Sequence, residues 1–399
     1  MLVVRDERLT IIGSASSFSR PCPSIHSDHL TIVRIALVHD YLCTIGGSER
    51  VFQYMCEGFP EADVFTLSLN PRRTIPYFAT DRGVRTTWMN PIAQSPSAFR
   101  VLFPIATYAM ERLDLRAYDV VLSSSATVAK YVRAPNGRHI CYCYIPTRAI
   151  WHFDEYFGSS IPGRFFRLLL PFLRRHELRA VNHIDEFIAI SEVTRKYIRD
   201  YYGRDSTVLP SPIDLSAFAP RSDRGEAFLI VSRLEHWKRL DYAIEAFTRL
   251  GLPLRVIGQG PEEANLRALA GQNVTFLGAV DDATLAMEYA RAKAVVFTPY
   301  MEYGLIPLEA NASGTPVIAF GKGGIEETMI PVNGRAANSS PATAVFFHDQ
   351  TPEAVIDAVR LFQQREFDPA ALVRHATGWS VAAFQARLRT AVEASQRRA

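Results

Sequence analysis

The sequence lacks several features that would assign it to a familiar class at once. It has no apolar run long enough to cross a bilayer, and its formal net charge of only +3 gives no indication of nucleic-acid binding. Its five cysteines show no small-scaffold spacing, and the last two are closer than a usual pair of zinc ligands. They are Cys22, Cys43, Cys56, Cys141 and Cys143. We expect all five to be reduced, in a cytoplasmic protein.

The composition is that of a globular protein with more than one domain. Hydrophobic residues make up 48% and charged residues 21% of the 399 residues, which excludes a disordered chain and allows two domains of ordinary size. Residues 1–32 differ, because they are rich in Ser, Pro and His and have no periodicity. We expect them to be a disordered or non-native extension, with the first domain beginning at Val33.

Short apolar runs alternate with amphipathic stretches from Arg34 onward, which predicts an α/β protein with parallel, doubly wound sheets. Eleven strands are expected, five before and six after a stretch rich in Pro and charge that begins at Val208. We predict one domain over 33–207, a second over 208–379 and a final helix over 380–399. A cleft between two such domains is the expected site.

Glycine and basic residues follow several predicted strands. Gly46 and Gly47 separate the first strand from a helix, where their backbone can approach a phosphate or sugar closely. Arg233 and Lys238 follow the first strand of the second domain and can converge on one anion. Ordinary turns and solvated surface cations are the alternative interpretations of these features.

The stretch "YMEYGLIPLEANASGTPVIAF", residues 300 to 320, carries Glu302 and Glu309 on either side of Gly304. A helix is expected to begin near Pro307 and to end near Gly314, because proline suits a first helical turn and glycine ends a helix. The free N–H groups of that helix start would face a ligand. Glycines at positions 321, 323 and 324 follow the next strand.

Two further stretches of the first domain are apolar and aromatic. They are "SAFRVLFPIATYAM" and "RFFRLLLPFLRRHELRAV", and the second contains five arginines and one glutamate between Arg164 and Arg179. A helix of this kind either packs on the core with a charged outer face or lies on a membrane surface.

Taken together, these stretches resemble family 4 retaining glycosyltransferases of the GT-B type, and within them the bacterial mannosyltransferase-like branch that builds surface polysaccharides. The resemblance is carried, in family order, by "IALVHDYLCTIGGSERV", "FPIATYAMERLDLRAYDVVLSSS", "VSRLEHWKRLDYAIEAF", "GLIPLEANASGTPVIAFGKGGIEET" and "AVFFHDQTPEAV". It implies two Rossmann-like domains facing across a cleft, with the C-terminal helix returning to the N-terminal domain.

The resemblance implies roles for the residues already singled out. Arg233 and Lys238 would bind the donor diphosphate and neutralise the leaving group, and Glu309 would hydrogen-bond the ribose. The backbone that would lie against the phosphates belongs to Gly46, Gly47, Gly304, Leu305 and Ile306. No metal cofactor is expected, because no Asp-x-Asp motif near a strand end is present to hold a cation.

Two positions depart from the family pattern. Met301 stands where the family has its first glutamate, so that Glu302 is one position late, and Tyr144 stands where the family tends to have histidine. Both missing groups would face the transferred sugar. Glu302 or Tyr144 would then contribute to catalysis, and Arg148 would face the donor or the acceptor.

Two functions remain open on these residues. The first is retaining transfer of a sugar, with mannose from GDP-mannose as the expected donor, to a lipid-linked oligosaccharide at the inner face of the plasma membrane. The second is a catalytically degenerate homologue that binds nucleotide sugar as the partner of an active enzyme. A nucleotide-sugar epimerase is disfavoured, because the dinucleotide glycine fingerprint is missing after the first strand.

Overall fold

The computed structural model describes residues 33–80, 83–154, 161–332 and 341–397, so the expectation for residues 1–32 lies outside the described chain. The described residues form two parallel β-sheets, one of seven strands and one of six. This confirms the predicted α/β architecture of two Rossmann-like domains.

The first sheet is built from all five strands predicted before Val208, together with two that were not predicted. In chain order the strands are β1 (Ile35–His39), β2 (Asp63–Thr66), β3 (Arg85–Thr86), β4 (Val120–Ser125), β5 (Arg138–Cys143), β6 (Glu186–Ala189) and β7 (Thr207–Val208). Their spatial order is β3-β2-β1-β4-β5-β6-β7, and all pairs are parallel. β1 and β4 are fully buried at the centre, as apolar runs in parallel sheets are. The two additional strands lie at the edges and are too short to show a period.

The second sheet contains the six strands expected after Val208. They are β8 (Phe228–Val231), β9 (Leu254–Ile257), β10 (Val274–Gly278), β11 (Val295–Phe297), β12 (Val317–Phe320) and β13 (Ala344–Phe347). Their order is β10-β9-β8-β11-β12-β13, again with parallel pairs throughout. In each sheet the first three strands follow one another in one direction, and the later strands are added on the opposite side of the first. The strand order therefore reverses once in each sheet, between β1 and β4 in the first and between β8 and β11 in the second.

Helices connect the strands in both domains. Those of the first domain are α1 (Gly47–Gly58), α2 (Pro76–Ala79), α3 (Pro96–Glu111), α4 (Arg148–Trp151), α5 (Ile161–Val181) and α6 (Glu192–Tyr197). The later ones are α7 (Leu240–Leu250), α8 (Glu263–Leu269), α9 (Asp282–Arg291), α10 (Leu305–Ala312), α11 (Ile325–Thr328), α12 (Pro352–Gln363), α13 (Pro369–Ala376) and α14 (Val381–Gln396). Within the described ranges, none is both long and apolar enough to cross a bilayer.

Two helix boundaries differ from the expectation. The helix expected to begin near Pro307 begins two residues earlier, at Leu305, because proline is tolerated anywhere in a first turn whose N–H groups have no intrahelical partner. It ends at Ala312, and Gly314 follows with φ of 71°, the left-handed conformation that terminates helices. Helix α6 ends at Tyr197 and continues as one π-helical turn, Ile198–Tyr202.

The C-terminal helix α14 returns to the first domain, which confirms the expectation. The ring of Phe384 packs edge-on against Tyr142 of β5, with centroids 5.6 Å apart. Gln385 donates to the Tyr54 carbonyl of α1 at 2.8 Å, and Arg138 donates to the hydroxyl of Ser395 at 2.8 Å. Helix α14 therefore packs against the first domain, although it follows the second domain in the sequence.

Candidate functional site

The candidate residues lie where both sheets reverse their strand order. Ligands of open parallel sheets bind at the carboxyl ends of the strands at such a reversal. Gly46 and Gly47 follow β1, Arg233 and Lys238 follow β8, and residues 301–304 follow β11. Each of these strands borders the reversal in its sheet.

Contacts across the cleft bring the two sets of residues together. A guanidinium N–H of Arg148, from the first domain, donates to the carboxylate of Glu302 in the second. The same guanidinium lies 5.0 Å from the ring centroid of Trp237. A Cβ atom on Gly47 would lie 3.1 Å from the side chain of Leu305, so the glycine pair faces the start of α10. The structure thus brings two predicted pairs together between the domains, Arg148 with Glu302 and Gly47 with Leu305.

Lys238 is buried in this site, and its pKa is strongly shifted. Its side chain is buried, with Nζ 3.1 Å from the sulfur of Met301 and 4.2 Å from the ring centroid of Trp237. Burial, followed by the positive charges of Arg233 and Arg148, lowers the pKa of Lys238 to about 7. A buried amine among other cations is stabilised in its charged form by an incoming anion.

Arg233 lies at the exposed side of the same group. Its side chain is 68% accessible, and its nearest described carboxylate is that of Glu235, with 3.8 Å between Nη1 and Oε1. After burial, the positive charge of Arg233 is the next largest cause that lowers the pKa of Lys238. The pair thus places one exposed guanidinium and one buried ammonium at the end of β8.

The segment after β11 is held by the glycines that follow β12. Gly324 N–H donates to the Met301 carbonyl at 2.9 Å, and Gly323 has φ of 90°. A Cβ atom on Gly324 would lie only 2.1 Å from the Glu302 carbonyl oxygen, and one on Gly323 2.6 Å from that of Met301. These glycines therefore serve the close approach of two backbone segments, which aims Glu302 at Arg148.

The start of α10 faces the cleft without a side-chain cap. Gly304 is its N-cap residue and offers no capping group, so the first N–H groups of the helix, including those of Leu305 and Ile306, receive no side-chain cap from it. On the same helix, one carboxylate oxygen of Glu309 accepts from the Tyr289 hydroxyl at 2.8 Å. Burial raises the pKa of Glu309 above its usual value. Its second oxygen is left to accept from a ligand hydroxyl.

Tyr144 is tied into the first domain by its hydroxyl. Tyr144 Oη donates to the Ser48 carbonyl at 3.1 Å and lies 3.0 Å from the hydroxyl of Ser124. Ser124 in turn lies 3.0 Å from Nδ1 of His39, and burial raises the pKa of the tyrosine well above its usual value. This geometry links the end of β5 to the first turn of α1, next to the glycine pair, so Tyr144 is placed to position that loop.

Sequence reasoning missed two residues of this region. The carboxylate of Asp40, buried after β1, accepts from the N–H groups of residues 126, 127, 128 and 129 at 2.7–2.9 Å, and so fixes the loop after β4. Its position at the end of a predicted strand was the available signal. Trp237 was also missed, although it precedes Lys238 in the sequence and its ring lies near both Lys238 and Arg148.

Two chemical expectations concern cysteines and metals. The four cysteines of the described chain, Cys43, Cys56, Cys141 and Cys143, are buried and free, which agrees with the expected reduced state, and Cys22 lies outside it. No group of three or more His, Cys, Asp or Glu side chains in the described ranges could hold a metal ion.

Comparison with protein families assigns both halves of the chain. Residues 45–217 match the family described as Glycosyltransferase Family 4, and residues 215–377 match the family described as Glycosyl transferases group 1. The two matches meet at the chain segment that joins the two sheets.

Curated relatives are distant and match in part. A D-inositol 3-phosphate glycosyltransferase of Kineococcus radiotolerans is 28% identical over 46% of this chain and 50% of its own length. A GDP-mannose-dependent monoacylated alpha-(1-6)-phosphatidylinositol monomannoside mannosyltransferase of Corynebacterium glutamicum is 28% identical over 47% of this chain and 56% of its own. The chain thus spans about half the length of the curated relatives it matches.

A solved structure reproduces the whole architecture. The sucrose-phosphate synthase of Thermosynechococcus elongatus superposes with a TM-score of 0.70 at 17% identity, covering 92% of this chain and all of that one. At this identity the similarity establishes the fold alone, which is the two-domain GT-B arrangement. The two family matches, which together span residues 45–377, identify the chain as a Family 4 glycosyltransferase domain followed by a group 1 glycosyl transferase domain.

Proposed function

We propose that this glycosyltransferase moves a sugar, with retention, from a nucleoside-diphosphate donor to a lipid-linked oligosaccharide in the synthesis of a surface polysaccharide. The proposed donor is GDP-mannose, which the name of the Corynebacterium relative specifies for that protein. The observation that carries the proposal is the position of Lys238, which is buried with a lowered pKa, beside Arg233 and Arg148.

Departure of the nucleoside diphosphate is the step that these residues serve. Negative charge grows on the diphosphate as the bond to the sugar breaks, and groups aimed at it in a buried site stabilise it strongly. Lys238 and Arg233 supply positive charge, and the N–H groups of Leu305 and Ile306 supply dipoles at a helix start. Glu309 then orients the ribose with its free oxygen.

The sugar end of the site is assigned to the Arg148–Glu302 pair. Met301 brings a thioether to Lys238 in place of the family's glutamate, whereas Glu302 points to Arg148. Glu302 is the carboxylate at this end that a sugar hydroxyl would meet, and Arg148 holds it from the opposite domain. We therefore infer that Glu302 makes the sugar contact, with Tyr144 positioning the glycine loop.

Two features of the sugar end of the site favour the alternative of a catalytically degenerate protein. Glu302 is already engaged by Arg148, and Met301 cannot hydrogen-bond a sugar hydroxyl as a carboxylate does. A protein with this site would bind nucleotide through Lys238 and Glu309 but turn over no donor.

One set of variants distinguishes the two functions. For an active enzyme, Glu302→Ala abolishes GDP-mannose turnover but leaves GDP affinity nearly unchanged, and Met301→Glu is neutral or harmful. For a degenerate protein, the wild type binds GDP without turnover, and Met301→Glu combined with Tyr144→His gains donor hydrolysis. Turnover of GDP-mannose and of other nucleotide sugars, with the GDP dissociation constant, is measured on each variant.

We also propose that the first domain docks on the inner face of the plasma membrane through α3 and α5. Both helices pack on one core, and near their ends His176 lies 3.9 Å from Glu111. Their outer faces nevertheless expose apolar side chains: Val101 is 76%, Leu168 80% and Phe172 67% accessible. Exposed arginines accompany them on α5, a composition suited to an anionic membrane surface.

Vesicle binding tests this surface separately from catalysis. The wild type should sediment with anionic vesicles at low salt, and binding should weaken as salt rises. Leu168→Ser with Phe172→Ser should remove it. The control is Leu269→Ser, at an exposed leucine of the second domain. Binding that persists in the double variant would contradict membrane docking through these side chains of α5, and the helix would then serve only to pack on the core.

A further inference from the structure

A cavity opens beside the Arg148–Glu302 pair on the side of the first domain. Its volume is about 130 Å³, and its wall is mainly aromatic and aliphatic with two arginines. The residues that line it include Phe99, Arg100, Phe103, Ile145, Arg148 and Phe166. An apolar cavity of about 150 Å³ in another protein holds one benzene molecule, so this one has room for one small apolar group.

The position of the cavity relates it to the proposed transfer site. Arg148 lines the cavity and also donates to Glu302, which belongs to the opposite domain. The side chain of Arg148 thus reaches from the wall of the cavity to Glu302, the proposed sugar contact. A molecule that fills the cavity therefore contacts the arginine that donates to Glu302.

Charge and surroundings indicate what this molecule is. Arg100 is exposed and lines the cavity, so a positive charge stands beside an apolar wall. Phe99 and Phe103 come from α3, and Phe166 comes from α5, the two helices whose outer faces expose Val101 and Leu168. An anionic group followed by an apolar chain complements such a site, and a phosphorylated lipid has that order.

We propose that this cavity binds the first apolar segment of a phosphorylated lipid acceptor, with its phosphate at Arg100. The inference rests on the proposed function and deepens it, because it limits the acceptor.

Direct binding of farnesyl phosphate tests the site without requiring transfer. Ala149→Phe places a ring in the cavity wall and should weaken farnesyl phosphate binding about tenfold or more, because several buried methylene groups lose their place. Ala117→Phe adds the same ring at an exposed position of the first domain and should bind as the wild type does. Arg100→Gln should weaken farnesyl phosphate binding but not that of farnesol.

The outcomes separate this inference from the proposed function. GDP binding by each variant reports that the second domain is intact. Unchanged farnesyl phosphate binding by Ala149→Phe would overturn the cavity assignment, even if GDP-mannose turnover persists. Cavity-dependent binding in a protein that turns over no donor would support the cavity and refute the transfer reaction.

Discussion

Binding of a nucleoside diphosphate at Lys238 should be coupled to uptake of a proton. The free protein holds the pKa of Lys238 at about 7, because the amine is buried beside Arg233 and Arg148. A bound diphosphate favours the ammonium form and raises that pKa. Affinity should therefore fall as pH rises above the pKa of the free protein. If the bound lysine stays fully protonated, the expected loss between about pH 7.5 and pH 8.5 is about eightfold, with uptake of about one proton per GDP at the upper value.

Calorimetry measures both quantities. GDP is titrated into the protein in two buffers that differ in ionisation enthalpy, and the difference in apparent enthalpy gives the number of protons taken up. Lys238→Arg is the control, because a guanidinium stays charged over this range and its pH slope should be nearly flat whatever its absolute affinity. A wild-type affinity that is constant over the range, with no proton uptake, would refute the assignment of Lys238 to the diphosphate.

Three further predictions follow from the structure. Glu177→Leu should lower the free energy of unfolding in urea by about 3–5 kcal/mol, because it leaves the buried Lys130 ammonium, 3.6 Å from Glu177, without its counter-charge. Gly324→Ala should lower donor turnover, because its Cβ would meet the Glu302 carbonyl, whereas Gly378→Ala, which has open space around it, should leave turnover unchanged. Transfer should survive EDTA, and loss of activity that manganese restores would contradict the metal-free mechanism.

The sequence predicted most of the sheets, because central parallel strands are continuous apolar runs between turn residues. It missed Arg85–Thr86 and Thr207–Val208, whose pairing depends on a neighbouring strand and not on any pattern of two residues. It also predicted α10 and its glycines, although the helix begins two residues early at Leu305.

The sequence predicted which residues belong to the candidate site better than it predicted which of them contact one another. Arg148 and Glu302 were both singled out, but 154 residues separate them, and only the approach of the two domains makes them an ion pair. Lys130 and Glu177 carry no local motif at all, because a buried charge differs from a surface one only in its environment. The contact of Lys238 with Met301 likewise needed the fold of the second domain.

The most direct test of the account is the GDP dissociation constant of Lys238→Ala beside the wild type and a control lysine. Loss of a buried charge partner of the diphosphate is expected to cost about 2–5 kcal/mol, which is a loss of affinity of roughly thirtyfold or more. Lys293→Ala removes a surface lysine that pairs with Glu226 at 2.5 Å and should leave GDP affinity unchanged. Equal affinity in the wild type and Lys238→Ala would contradict a nucleoside-diphosphate site between these two domains.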